Sequence, residues 1–154
     1  MVVDGIAGEP FDSISWPYAI SDDGRVAYAA RQGGRQHLVV GAQKSRAYRQ
    51  VAFPALSPDG ASSACAASDG DGWFAVVDGQ EGPVYDWIGH LTLDSRGRVA
   101  YVAESRGRSF VMSDRKGADF DRVTKPALTP DGRPIYGGRR NGQWLLVVGE
   151  RETP

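Results

Sequence analysis

The chain offers few side chains that could carry out nucleophilic or acid–base chemistry. It contains one cysteine, Cys65, and two histidines, His37 and His90. A thiol beside an imidazole can act as a nucleophile with its base, but Cys65 lies in a run of small residues, where a buried and inert thiol is expected. The chain also lacks a Gly-x-Ser-x-Gly nucleophile elbow. We therefore expect no catalytic residues and no enzyme activity.

Metal ligands are equally sparse. The two histidines lie in different segments without a zinc-ligand spacing. The loop carboxylates Asp69, Asp71 and Asp78 stand beside glycines, and Asp69-Gly-Asp-Gly72 lacks the glutamate that ends a calcium loop. Asp-Gly pairs are better explained as tight turns. The sequence predicts neither a metal site nor a cofactor.

Aromatic residues are the remaining candidates for binding. Trp73 and Trp144 occupy the same place in two repeated units, which favours packing over recognition. Aromatic rings near the entry of a unit can instead form an exposed platform for a sugar or another small ligand. The candidate ligand-binding residues are Trp16, Tyr18, Trp87 and His90.

The elements that position these residues repeat along the chain. The turn Ser57-Pro-Asp-Gly60 returns as Thr129-Pro-Asp-Gly132, with Ser21-Asp-Asp-Gly24 as a close variant and Asp94-Ser-Arg-Gly97 as a degenerate one. The four turn glycines are spaced by 36, 37 and 35 residues. A period in this range indicates stacked supersecondary units.

Each unit shows the pattern of four short strands joined by turns. An apolar run leads into the repeated turn, and a strand such as Arg25–Ala30 follows. Three units carry a tyrosine at the same position of this strand, Tyr28, Tyr101 and Tyr136, and we expect Ala64 to take that position in the second unit. A second turn precedes a strand that carries a valine pair, such as Val76-Val77. An aromatic, two variable residues and a β-branched residue complete the unit, as in residues 11–14, and we interpret this segment as the outer strand.

Four-stranded units at this period are typical of a β-propeller in which each unit is one blade. The alternative is a sandwich of about sixteen short strands. We predict a single all-β domain over residues 1–154, with blades at about 11–47, 48–84, 85–119 and 120–150. The last blade then lacks an outer strand, and pairing of residues 11–14 with 145–148 would close the ring.

The termini are the unusual part of this scheme. Valine-pair strands outnumber the other strand types by one, and residues 1–5 would compete with residues 147–150 for the same place. One solution is closure of four blades within one chain. Two copies could instead complete a larger ring as a homodimer.

Ser57-Pro-Asp-Gly60, Arg98–Ala103 and the segment Val76–Asp86 resemble the bacterial WD40-like (PD40, TolB-type) propeller repeat, over roughly residues 2–149. The resemblance implies a platform for protein binding, as in the periplasmic TolB-type propellers. It also implies an alternative, the propeller fragment of a larger hydrolase of the prolyl-oligopeptidase type.

The composition argues against some classes of binding partner. A net charge of −1 and a pI of about 6.1 argue against nucleic acid, and no apolar run reaches the length of a membrane span. A secretory leader is not evident, which leaves the compartment undetermined: we expect the cytoplasm or, for a trimmed chain, the periplasm. We expect a non-catalytic scaffold for protein–protein interaction or self-assembly, with a carbohydrate-binding propeller as the alternative.

Overall fold

The computed structural model describes residues 2–3, 6–7 and 10–154. Every regular element in these residues is a β-strand, which confirms the all-β expectation. None of the described residues forms a helix long and apolar enough to cross a membrane.

Four antiparallel sheets follow one another along the chain, after a short pair of strands β1 (Val2–Val3) and β2 (Ile6–Ala7). The first sheet comprises β3 (Ser13–Ile20), β4 (Val26–Gln32), β5 (Arg35–Val40) and β6 (Gln43–Lys44). The second comprises β7 (Gln50–Leu56), β8 (Ser63–Ser68), β9 (Trp73–Val77) and β10 (Gln80–Tyr85). The third comprises β11 (Trp87–Leu93), β12 (Val99–Ser105) and β13 (Arg108–Met112).

In the fourth sheet two short strands share the place of one. Both β14 (Arg122–Val123) and β15 (Ala127–Leu128) pair with β16 (Pro134–Arg140). The sheet continues with β17 (Gln143–Val148) and β18 (Arg151–Thr153). Within every sheet the strands therefore lie in the order in which the chain supplies them.

A side-chain oxygen closes the repeated turn between the first and second strand of each sheet. Ser57 Oγ accepts a hydrogen bond from the backbone N–H of Ser62 at 2.9 Å. Asp94 Oδ1 accepts from the N–H of Arg98 at 2.9 Å, and Thr129 Oγ1 from that of Arg133 at 2.9 Å. A short polar side chain at this position satisfies a backbone donor that the turn leaves unpaired, so the degenerate Asp94 turn is equivalent to the others.

The aromatic segments do not each form one outer strand, because three of the four are divided between two sheets. Tyr85 ends the outer strand β10, and Tyr48 and Phe120 bridge to the third strand of the preceding sheet. The β-branched residue at the end of each segment lies in the first strand of the next sheet.

Ile14 pairs with Ala30 in the neighbouring strand β4, and Ile88 pairs with Ala103 in β12. The register then shifts before the turn, between Ser15 and Ala19 in the first sheet. A β-bulge of this kind adds residues to one strand only, so one long strand has the sequence pattern of two short ones.

The residues of the predicted ring closure, 11–14 and 145–148, have other pairing partners in the structure. Strand β17 is paired with β16 along one edge and with β18 along the other, with Leu146 opposite Thr153 and Val148 opposite Arg151. Residues 13–14 pair with β4 instead. The fourth sheet has its own outer strand, since outer strands follow the valine pair directly, as Gln80–Tyr85 does in the second sheet.

Two other expectations change at the strand level. The third sheet has three strands rather than four, and a single bridge between Met112 and Lys116 stands where the fourth would lie, because the polar run after Met112 turns back on itself. At the N-terminus Val2–Val3 pair with Ile6–Ala7, and the rest of the predicted competition of residues 1–5 with 147–150 falls outside the described residues.

Cys65, and not Ala64, takes the tyrosine position in the second sheet. The loop after Gly60 holds one more residue than its counterparts, so that Leu56 pairs with Ser63 where Leu93 pairs with Val99. Cys65 is fully buried, and the large ring of Tyr48 packs in the same cluster of buried side chains. The smaller residue in the strand is thus accompanied by a larger one beside it.

Most of the apolar core lies in the layers between consecutive sheets, and a smaller buried cluster of Tyr28, Ala30 and Val39 lies on the first sheet beside Phe11. The first strand of each sheet lies across the sheet before it: β7 contacts β3, β4 and β5, and β11 contacts β7, β8 and β9. We call the face of a sheet that meets the preceding sheet its leading face, and the opposite face its trailing face. Buried clusters fill the first–second, second–third and third–fourth junctions.

The leading faces yield a matched test of this stacking. Ile88 is fully buried at the second–third junction, whereas Ile14, at the equivalent position of the first sheet, is 39% exposed. Ile88→Ala should lower the free energy of unfolding by about 2–5 kcal/mol because it leaves a cavity, and Ile14→Ala by less than about 1 kcal/mol in dilute solution. Urea denaturation measures both, and equal losses would contradict the stacking order.

Candidate functional site

The four predicted ligand-binding residues fall into two groups on first strands. Trp16 and Tyr18 lie in β3 and are 83% and 53% exposed. Trp87 and His90 lie in β11, with ring centroids 5.8 Å apart. Strands β3 and β11 both contact β7, which lies between them. The structure thus brings Trp87 and His90 together and places the other two in another sheet.

Phe53 of β7 completes the aromatic group around Trp87 and was missed by the sequence reasoning. Its ring lies 5.8 Å from Trp87 and 5.9 Å from His90. Phe53 and His90 both sit in the bulge of their strand with positive φ, 51° and 54°, a conformation that is rare for bulky residues. No local signal predicts it, since Phe53 precedes a proline, which favours an extended conformation.

The leading face of the first sheet is apolar and open along strand β3. Alternate residues of this strand point outward, and Ile20 is 62% exposed. The equivalent Leu93 of the third sheet is buried against the second sheet. The exposed side chains are Ile14, Trp16, Tyr18 and Ile20, and they form what we call the first end face.

The trailing face of the fourth sheet is the matching open surface. Leu146 is 50% and Trp144 49% exposed on strand β17. The residues equivalent to Leu146 in the first three sheets are Leu38, Ala75 and Val111, and all three are buried by the sheet that follows. We call the surface around Trp144 and Leu146 the second end face.

Arginine side chains join the turns of neighbouring sheets. Arg25 Nη1 donates to the carbonyl oxygen of Gly60 at 2.9 Å. Arg98 donates from Nη1 to the carbonyl of Asp131 at 2.7 Å and from Nη2 to that of Pro130 at 3.0 Å. Each arginine directly follows the glycine of its own turn and reaches the turn of the next sheet. We call this contact the arginine link.

A cleft of about 700 Å³ opens beside the third–fourth junction, where the third sheet lacks a fourth strand. Its charged lining is largely paired: Arg115 contacts Glu150 at 2.8 Å, and Arg133 contacts Asp131 at 2.7 Å. Paired surface charges of this kind contribute little to binding or stability. The cleft therefore combines paired charges with apolar lining residues such as Val99 and Val148.

The candidate nucleophile is inaccessible. Cys65 is fully buried, and burial raises the pKa of its thiol to about 12. The ring of His37 is tied to its own sheet, since Nδ1 lies 2.9 Å from the carbonyl oxygen of Ser45, to which it donates. Within residues 10–154, His, Cys, Asp and Glu side chains form no group of three or more that could hold a metal ion.

Comparison with known proteins identifies the fold. No family model and no curated protein matches the chain. Among solved structures, TolB from Acinetobacter baumannii superposes with a TM-score of 0.59 and 15% identity over 89% of this chain and 41% of that one. The chain has a TolB-like β-propeller fold.

A second solved structure, hydrazine synthase from Kuenenia stuttgartiensis, matches with a TM-score of 0.43 and 17% identity over 96% of this chain and 48% of that one. The chain thus spans less than half the length of either protein. At these identities the TolB match establishes the fold, while the function must be argued from this chain's own surfaces.

The burial of Cys65 can be tested chemically, and with it the prediction that this thiol is not a catalytic nucleophile. Because the thiolate is the reactive form, iodoacetamide near pH 8 should label the native chain at least about a hundredfold more slowly than the chain unfolded in guanidinium. Mass spectrometry measures both rates. Labelling of the native protein at the unfolded rate would show that the thiol is accessible.

Proposed function

We propose that the chain is a non-catalytic β-propeller scaffold that binds protein chains on its two end faces, with a second copy as one such chain. The observation that supports this most directly is the exposure of Ile20 and Leu146, whose counterparts in the other sheets include the buried Leu93 and Leu38. Contiguous apolar surface of this kind typically marks an interaction site. At the three junctions inside the chain, the equivalent surfaces of the sheets are buried against a neighbouring sheet.

The four sheets act as four blades in this proposal, and a further chain covers the two open ends. Closure by one chain would require the leading face of the first sheet to meet the trailing face of the fourth. Exposure of Trp16 and Trp144, one on each face, favours an open array. A second chain that completes a larger ring satisfies both faces at once.

The scaffold function is tested by retention on immobilised protein. Wild-type chain and the double variant Ile20→Glu/Leu146→Glu are each exposed to the purified chain and, separately, to a bacterial lysate. We expect the wild type to retain at least about tenfold more of a defined protein, because a carboxylate on each end face must be desolvated on binding. Val84→Glu, which alters an exposed apolar residue on outer strand β10, is the control and should bind as the wild type does.

Quantitative mass spectrometry of the retained proteins gives the readout. Equal retention by the wild type and the double variant, with both folded by circular dichroism, would show that the end faces do not bind protein.

A ligand-binding propeller is the second candidate, and the exposure of Trp16 and Tyr18 on one strand favours it. An indole and a phenol present flat apolar faces with polar edges, a combination that suits the C–H face and hydroxyl groups of a sugar ring. Trp87 and His90, with Phe53, form a separate aromatic group in this proposal.

Fluorescence titration with oligosaccharides at fixed protein concentration tests the second candidate. If sugars stack on Trp16, they should shift the tryptophan emission of the wild type and of Trp144→Ala but not of Trp16→Ala, because stacking changes the polarity around the indole. Unchanged emission of the wild type across a glycan panel would remove this candidate.

A further inference from the structure

The two end faces carry the two halves of a junction that already occurs inside the chain. At the first–second junction the third strand of one sheet, β5, contacts the first strand of the next, β7. At the second–third junction β9 contacts β11 in the same way. The second end face is built on the third strand β17, and the first end face on the first strand β3.

The polar half of the junction is also present at both ends. Arg133 follows the turn glycine of the fourth sheet, as Arg25 and Arg98 follow theirs. Its Nε contacts Asp131 at 2.7 Å, and the side chain is 60% exposed. Its two terminal nitrogens bond to no residue of the described chain, whereas those of Arg98 reach the next turn.

The turn that would receive Arg133 lies at the other end of the array. In the first sheet the equivalent turn residues are Asp22, Asp23 and Gly24, which correspond to Pro58, Asp59 and Gly60 of the second sheet. The carbonyl oxygen of Gly60 accepts the arginine link from Arg25. The hydroxyl of Ser21 donates to the Asp23 carboxylate and lowers the pKa of that group, so it stays ionised near neutral pH. The Asp23 carboxylate lies beside Gly60 of the second sheet, so an arginine that approaches this turn from the open end meets its backbone carbonyl oxygens and the exposed Asp22.

We propose that two copies of this chain associate head to tail, with Leu146 of one copy packed against Ile20 of the other and an intermolecular arginine link from Arg133. The inference rests on the proposed scaffold function and names its partner. The contact is heterologous, so each copy uses a different face at each junction.

A second copy fits these faces better than either face fits itself. Two first end faces brought together would place the acidic Asp22–Asp23 turns side by side, while the Arg25 side chains stay bound to Gly60 of their own chains. Two second end faces would oppose the Arg133 side chains. Only the head-to-tail pairing puts Arg133 beside the acidic turn and apolar residues beside apolar residues.

Sedimentation velocity of the purified chain over a concentration series tests the proposal. We expect the wild type to associate, and Ile20→Glu and Leu146→Glu each to weaken association by at least about thirtyfold, as for a residue at the centre of an interface. Val84→Glu should associate as the wild type does. All four proteins should retain the wild-type circular dichroism spectrum.

Arg133→Ala tests the link without altering a strand. It should weaken association about tenfold or more, since a hydrogen bond from a charged donor is lost. The matched control is Arg96→Ala, an exposed arginine in the equivalent turn of the third sheet. Equal effects of the two substitutions would overturn the intermolecular arginine link.

Mixing the two face variants decides the direction of association. Ile20→Glu retains an intact second end face, and Leu146→Glu retains an intact first end face. An equimolar mixture should therefore form dimers through the single intact junction, while each variant alone remains monomeric. Self-association of either variant alone as strong as that of the wild type would indicate a face-to-face contact and overturn the proposal.

Failure of the head-to-tail contact can be told apart from failure of the scaffold. A purified chain that stays monomeric at its highest soluble concentration overturns the head-to-tail contact. The scaffold function stands in that case if immobilised wild type, but not Ile20→Glu/Leu146→Glu, still retains a different protein.

Discussion

Packing of one sheet upon the next is the constraint on which the rest of the molecule depends. A sheet of about 36 residues with apolar side chains on both faces cannot bury them by itself, and an isolated hairpin is only marginally stable in water. The second sheet shows the solution: Cys65 faces the first sheet, and Ala64 faces the third. Each sheet is thus stabilised on both sides by its neighbours, and the sheets at the two ends are each left with open apolar surface.

The repeated turn and the all-β fold could be predicted from sequence because their chemistry is local. A short polar residue, a glycine and a fixed spacing are sufficient to place the turn at Ser57 or Thr129. The limits and register of a strand could not be predicted from sequence where they depend on the strand that pairs with it. The bulge in β3 divides one strand into two apparent ones, and the extra residue after Gly60 moves the tyrosine position from Ala64 to Cys65. Neither feature has a local signature, since both are defined by the opposing strand.

The candidate site illustrates the same limit. The alternation of Ile14, Trp16, Tyr18 and Ile20 is visible in the sequence, but an identical alternation would describe a strand buried against a preceding sheet. Only the stack shows that none of the second, third and fourth sheets covers these four side chains of β3. Phe53 was missed for another reason, because its contact with Trp87 joins two sheets and depends on a backbone conformation that its following proline disfavours.

The exposed edges of the sheets differ in character from the exposed faces. The outer strands β6 and β18 are only two and three residues long and contain Lys44, Arg151 and Glu152. The longer outer strand β10 is interrupted by Pro83 and by a register shift between Glu81 and Val84. Short, charged or interrupted edge strands resist pairing with strands of another molecule. The apolar surface that remains is on the faces of the first and fourth sheets, so further growth is favoured along the stacking direction and disfavoured by edge pairing. The association proposed above would therefore run through side-chain packing and the turn arginines rather than through backbone hydrogen bonds.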